Sequence, residues 1–208
     1  FLDDMARTPI ELAFDSWVLH QALRQQKVWL EAGLTLKVSI YLTPQSLNQS
    51  SFVDTLSAAL AEYPDIPPAL LCLEVLESAA LEDFQDATQV MRDCRALGVQ
   101  IALDDFGTGH SSLEYVRELK VDRLKIDRCF VTGIEHSEEK HRFLTSIIAM
   151  AEQAFMKTVI EGVERVLPNA IVQPIDILKG VLFPRDTRVL VSIQNVFDDF
   201  VTPVHWVL

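Results

Sequence analysis

Cysteine and glycine are scarce in this 208-residue sequence, which contains three cysteines and seven glycines. Cys72, Cys94 and Cys129 have no metal-binding spacing and each lies in an apolar run, so we expect buried, reduced thiols. No segment fits the glycine-rich phosphate loops GxGxxG or GxxxxGK followed by Ser or Thr. This absence argues against the nucleotide-binding loop that is typical of doubly wound folds.

Positive charge and long apolar runs are also in short supply. The 30 acidic side chains outnumber the 18 basic ones, and the net charge is −12, whereas binding of duplex nucleic acid needs an excess of Lys and Arg. We therefore expect no nucleic acid polymer as a partner, although local cations or metals could still hold a small phosphate ligand. No signal peptide or long apolar span occurs, so we expect a cytoplasmic location, either alone or as the cytoplasmic part of a membrane-anchored protein.

What the sequence does contain is a repeated alternation of short apolar runs and segments with helical periodicity. The predicted strands lie at 36–42, 69–77, 99–105, 122–131, 157–163 and 177–183, and the predicted helices lie at 14–31, 45–63, 82–97, 111–119 and 137–155. Apolar strands that alternate with helices indicate one α/β domain whose parallel sheet is covered on both faces. Either a (β/α) barrel or a doubly wound sheet fits this pattern.

Polar side chains at the ends of the predicted strands favour the barrel. They are Glu74, Glu77, Asp104, Asp105, Lys125, Asp127, Glu161, Glu164 and Lys179. Groups that come from the carboxyl ends of many strands and converge on one face are typical of (β/α)8 enzymes. Because six strands are recognisable and a closed barrel has eight, we expect a TIM-type barrel that is incomplete in this chain.

The segment "DDFGTGHSS" (104–112) carries the clearest chemical signal. Asp104 and Asp105 repel each other at the end of an apolar strand, and buried charge without a partner is costly. Divalent cations would remove that cost, because carboxylate oxygens are the ligands that Mg2+ and Mn2+ prefer. Lys125, which has apolar neighbours, could steady a charged oxygen in phosphoryl chemistry. The alternative for each group is a surface position with an ordinary ion-pair partner.

The longer segment "IALDDFGTGHSSLEYVRELKVDRLKIDRCFV" (101–131) resembles the signature of the EAL domain family. The segments "WVLHQAL", "LKVSIYLTPQSL", "LEVLES", "VIEGVE" and "LKGVLF" occur around it in the family order. EAL domains are bacterial phosphodiesterases that open cyclic di-GMP, together with non-catalytic relatives that bind it or act through protein partners. The resemblance implies a (β/α)8-like barrel and a single domain over 1–208 that forms the C-terminal part of a larger signalling protein.

The resemblance also implies roles for individual residues. The family's metal-binding carboxylates fall on Glu74, Asp104, Asp105 and Glu161, and the catalytic residues of an active enzyme would be Lys125 and Glu161. A mobile loop over the ligand would include Phe106, Gly107, Thr108 and Gly109, and Glu164 would anchor it. Mg2+ or Mn2+ would be the cofactor of an active enzyme.

Three positions depart from the family pattern. The metal-ligand asparagine falls on Tyr41, a threonine falls on Leu76, and the glutamine before the glycine of the last strand falls on Lys179. A phenol with a pKa of about 10 is a poor neutral ligand, and the ammonium of Lys179 could replace a divalent ion among the carboxylates. The Glu-Ala-Leu signature and the phosphate-contacting arginine, which belong to two N-terminal strands, do not occur in this sequence.

We therefore expect a degenerate EAL domain that does not catalyse hydrolysis and whose metal site is empty or holds one ion. It would bind cyclic di-GMP, or act as a regulatory or protein-interaction module. The alternative is an active phosphodiesterase that depends on Mg2+ or Mn2+ and produces linear pGpG. The expected partners are cyclic di-GMP, an upstream sensory or GGDEF-type domain, and either a second copy of the chain or another protein.

Overall fold

The computed structural model describes residues 9–107, 113–161, 190–191 and 206–207. The helices and strands follow one another in the order α1 (Pro9–Glu31), β1 (Lys37–Tyr41), α2 (Pro44–Leu47), α3 (Ser51–Glu62), β2 (Leu71–Leu76), α4 (Glu77–Glu82), α5 (Phe84–Ala96), β3 (Gln100–Phe106), α6 (Leu113–Leu119), β4 (Arg123–Ile126), α7 (Glu138–Gln153), β5 (Lys157–Ile160), β6 (Leu190–Val191) and β7 (Trp206–Val207). Each predicted segment within these residues contains an element of the predicted type, and the predicted strand 177–183 lies outside them.

The order of the strands decides between the two architectures that the sequence left open. The sheet has the order β6-β5-β4-β3-β2-β1-β7. Strands β1 to β6 are parallel to one another, and β7 is antiparallel to β1. The first five strands follow the chain order without a reversal, so they lack the switch point of a doubly wound sheet. They wind in one direction, as the strands of a (β/α) barrel do.

The two faces of the strands differ in polarity. The helix-facing side is apolar, and its fully buried members are Leu71, Leu73, Ile101, Leu103, Leu124 and Ile126, which pack with Leu19, Leu23 and Leu56 from the helices. The other face carries polar side chains at alternate positions, including Ser39, Glu74, Gln100, Arg123 and Lys125. Because strand side chains alternate between faces, the same short strands build both the core and a polar interior.

Glycines and one serine mark several of the helix ends. Gly33 and Gly98 follow α1 and α5 with φ values of +79° and +95°, which glycine adopts without strain. The side chain of Ser137 accepts a hydrogen bond from the Lys140 N–H at the start of α7. Asp83 precedes α5 without such a bond. Within the described part of the chain, no helix combines the length and the hydropathy that crossing a membrane would require.

Two expectations need correction. Cys72 and Cys94 are buried, but Cys129 is exposed, because it lies in a 3-10 turn after β4 rather than in a continuing strand. The predicted helix 45–63 is divided into α2 and α3. Thr43 caps α2 through its side chain, and a second helix begins after Ser50. Both differences arise from local turns that apolar periodicity does not report.

A buried carboxylate joins α1 to the segment that follows β1. Asp15 is 2% exposed, and its Oδ2 accepts hydrogen bonds from the N–H of Thr43 at 3.1 Å and from its hydroxyl at 2.7 Å. Burial raises the pKa of Asp15 above its usual value, although these hydrogen bonds act in the opposite direction. This contact lies two residues beyond Tyr41 and therefore fixes the end of β1 against α1.

Replacing Asp15 by alanine would leave the two Thr43 donors buried without this acceptor. We expect Asp15→Ala to lower the free energy of unfolding by about 1–3 kcal/mol, and Asp15→Asn, which keeps an acceptor oxygen, to cost less. Because the pKa of folded Asp15 is higher than that of the unfolded residue, its contribution to stability falls as the pH rises from about 4 through the folded pKa. In urea unfolding, the stability of the asparagine variant relative to the parent should therefore increase as the pH rises above about 4. Equal losses in both variants at every pH would contradict this account.

Candidate functional site

Side chains from four neighbouring strands meet at the carboxyl edge of the sheet. The Lys125 ammonium on β4 lies 2.9 Å from Glu74 Oε2 on β2 and 2.8 Å from Asp104 Oδ2 on β3. It also lies 2.9 Å from Oε1 of Glu161, which directly follows β5. Lys125, Glu74 and Glu161 are buried. The structure thus brings together four residues that the sequence assigned to the ends of separate strands.

The protonation of Lys125 follows from its surroundings. Burial by itself would lower the pKa of the ammonium, but the charges of Glu74 and Asp104 and the hydrogen bonds to Asp104 and Glu161 outweigh it. The pKa therefore lies above the usual lysine value, and Lys125 is charged at neutral pH. A buried cation with such partners holds the carboxylates in place, since removing one member would leave uncompensated buried charge.

A β-bulge at the end of β3 turns both aspartates of the "DDFG" segment toward this cluster. The pairing of β3 with β4 shifts register between Leu103 and Phe106, and Asp105 has a φ of +54°, which aspartate tolerates better than most residues. In a regular strand these neighbours would point to opposite faces. Here, single carboxylate oxygens from Asp104, Asp105 and Glu161 all lie within 4.8 Å of one another.

These three carboxylates fit one hard divalent cation. Mg2+ and Mn2+ prefer oxygen ligands, and the cluster of Asp104, Asp105 and Glu161 offers three of them. Burial, and then the charges of Asp104, Asp127 and Glu161, raise the pKa of Asp105. With Glu74 included, four carboxylates face the single ammonium of Lys125, so the lysine alone does not neutralise the cluster.

The turn after β3 is held by a residue whose role the sequence did not reveal. The Gly107 N–H donates a hydrogen bond of 2.7 Å to Oε2 of Glu77, which is 2% exposed at the start of α4. Gly107 has a φ of +94°, and a Cβ at this position would overlap the ring of Phe130. In the sequence, Glu77 was one of several strand-end carboxylates, and its pairing with a backbone N–H could not be inferred from spacing.

The substituted family positions that the structure describes lie beside the cluster. Tyr41 ends β1 and pairs with Glu74 in the register of β1 and β2. Burial, followed by the charges of Asp15 and Asp104, raises the pKa of Tyr41 to about 12, so its phenol is neutral. Leu76, at the end of β2, packs against the core. The predicted roles of Thr108, Gly109, Glu164 and Lys179 concern residues outside the described ranges.

Residues 1–175 match the EAL domain. The chain is 34% identical over 165 residues to the bifunctional diguanylate cyclase/cyclic di-GMP phosphodiesterase MucR of Pseudomonas aeruginosa, which covers 79% of this chain and 24% of MucR. It is 30% identical over 187 residues to the signaling protein YkoW of Bacillus subtilis, which covers 89% of this chain and 23% of YkoW. The chain thus spans about a quarter of the length of these curated relatives.

Solved structures show the same arrangement of helices and strands. The structure described as PaMucR phosphodiesterase in complex with c-di-GMP has a TM-score of 0.72 and 34% identity, over 79% of this chain and 67% of that chain. The FimX EAL domain has a TM-score of 0.74 at 23% identity, over 79% of this chain and 66% of that chain, and supports the fold alone. The predicted α/β fold, a (β/α)8-like barrel that is incomplete in this chain, is thereby confirmed.

Substitution of two glycines separates the backbone requirement at residue 107 from the steric one. Gly33 has a φ of +79° and open space around it. We therefore expect Gly33→Ala to lower the free energy of unfolding by only about 1–2 kcal/mol, the cost of placing alanine in a left-handed backbone conformation. Gly107→Ala should cost about 1–3 kcal/mol more, because the new methyl group overlaps Phe130. Combining Gly107→Ala with Phe130→Leu should recover much of this excess in urea unfolding. Identical losses for the two single substitutions would contradict close packing of the turn on Phe130.

Proposed function

The chain belongs to the EAL domain family, and on that basis we propose that it binds cyclic di-GMP at the carboxyl edge of its sheet without hydrolysing it at an appreciable rate. One observation carries this proposal. The acidic cluster around Lys125 is assembled, while Tyr41 stands at the same edge, opposite Glu74 in the strand register. The ligand class is supported by the related MucR structure, which is described as a c-di-GMP complex.

The proposed loss of hydrolysis rests on what the reaction requires. Water must attack a phosphorus atom of cyclic di-GMP while the P–O3′ bond breaks, which yields linear pGpG. Enzymes of this kind use two divalent ions to generate and align the nucleophile. The resemblance places a ligating amide where this chain has Tyr41, whose neutral phenol has a pKa raised to about 12. A neutral phenol is a poorer metal ligand than an amide oxygen, and its ring occupies more space.

The residues present fit one ion better than two. Asp104, Asp105 and Glu161 would hold Mg2+ or Mn2+, and a bound ion would supply positive charge toward the phosphates of the ligand. Lys125 contacts Asp104 and Glu161, so it orients two of these carboxylates before any ligand arrives. We infer that Lys125 prepares the binding surface. The family resemblance further implies that Lys179 adds positive charge to this site.

An active phosphodiesterase is the second candidate. It is favoured by the mutual approach of Asp104, Asp105 and Glu161 within 4.8 Å, and by the name of MucR, which includes cyclic di-GMP phosphodiesterase. In that case Lys125 would steady the attacking or the leaving oxygen, and Glu161 would share in activating the water. Either function would belong to a larger signalling protein with a sensory or GGDEF-type domain, and a second copy or another protein as partner.

The first test concerns the ion. In calorimetric titrations of the full-length protein, we expect Mn2+ to bind, and Asp105→Asn to weaken the affinity at least about 10-fold because one oxygen ligand is weakened. Asp54→Asn removes the same charge from the exposed side of α3 and should leave the affinity unchanged. Equal affinities for the parent and Asp105→Asn would exclude the proposed ligand set.

The second test separates binding from turnover. The full-length protein should bind cyclic di-GMP in calorimetry, more tightly with Mg2+ than with EDTA, and should release no more pGpG than a buffer control. Tyr41→Asn combined with Lys179→Gln should restore measurable turnover. The matched pair Tyr41→Phe with Lys179→Gln keeps the aromatic ring and should stay inactive. Robust hydrolysis by the unmodified protein, abolished by Glu161→Ala, would establish the phosphodiesterase instead.

A further inference from the structure

The opposite edge of the sheet carries a second charged cluster, which contains three basic side chains. Lys37, Arg123 and Lys157 are the first residues of β1, β4 and β5. They therefore lie at the amino ends of the strands, whereas Lys125 and its carboxylates lie toward the carboxyl ends. Arg123 is 4% exposed. An arginine so deeply buried normally has a carboxylate or phosphate partner.

The hydrogen bonds of this cluster bring cations together without neutralising them. Lys37 Nζ and Arg123 Nη2 both donate to Oε1 of Gln100, at 3.0 Å and 2.8 Å. An amide oxygen carries no net charge, so Gln100 positions the two cations but does not balance them. The Nε of Arg123 is buried and has no hydrogen-bond partner within the residues that the structure describes.

The carboxylate closest to Arg123 along the chain is already committed. Asp122 accepts hydrogen bonds from Arg95 Nη2 at 2.8 Å and from Arg95 Nε at 3.2 Å. It also accepts a bond of 2.9 Å from the backbone N–H of Ile101. Asp122 therefore pairs with Arg95 and with the strand backbone, and no ion pair joins it to Arg123 within the described residues.

The electrostatic surroundings agree with an excess of positive charge. Burial, followed by the charges of Arg123 and Lys157, lowers the pKa of Lys37. Burial raises the pKa of the Cys72 thiol to about 11, so Cys72 is uncharged at neutral pH and supplies no compensating anion. The Arg123 guanidinium and the Lys37 ammonium thus share one neutral acceptor, and the Nε–H of Arg123 has no partner within the described residues.

We propose that the amino edge of the sheet binds a phosphate-type oxyanion between the Arg123 guanidinium and the Lys37 ammonium. The planar guanidinium presents two parallel N–H groups to phosphate oxygens, and the unused Nε of Arg123 is one of them. Lys157, whose charge also acts on Lys37, adds a third positive charge at this edge, which favours a doubly charged anion over a single carboxylate. This site lies at the opposite edge from the acidic cluster, so it does not depend on the proposed binding of cyclic di-GMP.

Inorganic phosphate is the probe for this site. Thermal unfolding of the full-length protein would be followed in EDTA at constant ionic strength, with phosphate replacing chloride. EDTA prevents phosphate from binding through a metal at the acidic edge. We expect saturating phosphate to raise Tm by about 2–4 °C, and calorimetry to give one phosphate per chain.

Substitutions distinguish a specific site from the general stabilising effect of phosphate on folded proteins. Arg123→Gln and Lys37→Gln should each reduce the Tm increase to the level seen in chloride. Lys37 is only half-buried, so its variant remains informative if Arg123→Gln does not fold. Arg95→Gln, which removes an arginine paired with Asp122, should keep the full response.

Two results would overturn the assignment. One is a response to phosphate that persists in both Arg123→Gln and Lys37→Gln, since it would then arise elsewhere. The other is an acetate response as large as the phosphate response at the same ionic strength, because the site would then not select a phosphate-type anion over a carboxylate.

Discussion

The ammonium of Lys125 is the interaction on which the carboxyl edge of the sheet depends. It contacts carboxylates from three neighbouring positions in the sheet, Glu74, Asp104 and Glu161, within 2.9 Å. Without this cation the carboxylates would repel one another in a buried setting, and breaking such a cluster typically costs about 3–5 kcal/mol. The same contacts tie β2, β3 and β5 to β4 at the point where a ligand would approach. The site is therefore organised by the fold itself.

Position along the strands divides the polar face of the sheet into two regions of opposite charge. Carboxylates dominate the carboxyl edge, and Lys37 and Arg123 lie at the amino edge. A phosphate-bearing ligand meets these regions differently. At the amino edge it would bind cations directly, whereas at the carboxyl edge a divalent ion must stand between its phosphates and the carboxylates. On this account an ion can act as an electrostatic bridge for binding even where it does not support hydrolysis.

The sequence predicted those features that depend on neighbouring residues. Apolar periodicity located five helical segments, one of which is two helices, and five of the strands, but it missed α4; polar residues at the strand ends located the carboxyl edge. The strand order and the shift of register in β3 could not be predicted in this way, because they depend on pairing between distant segments. The bulge matters most, since it directs Asp104 and Asp105 to one site. The bond from Gly107 to Glu77 is likewise a contact across elements, with no signature in spacing.

Binding and catalysis make different demands on such a site, and a few substitutions can separate them. Binding needs an overall match of charge and shape, to which the preassembled cluster around Lys125 would contribute under the proposed function. Hydrolysis also needs a nucleophilic water in line with the leaving oxygen, and a displacement of about 1 Å can cost 100-fold in rate. Tyr41 alters a position beside Glu74 without disturbing the contacts of Lys125. Under the proposed function, a single aromatic ring at the end of β1 would remove turnover while the surface for the ligand persists.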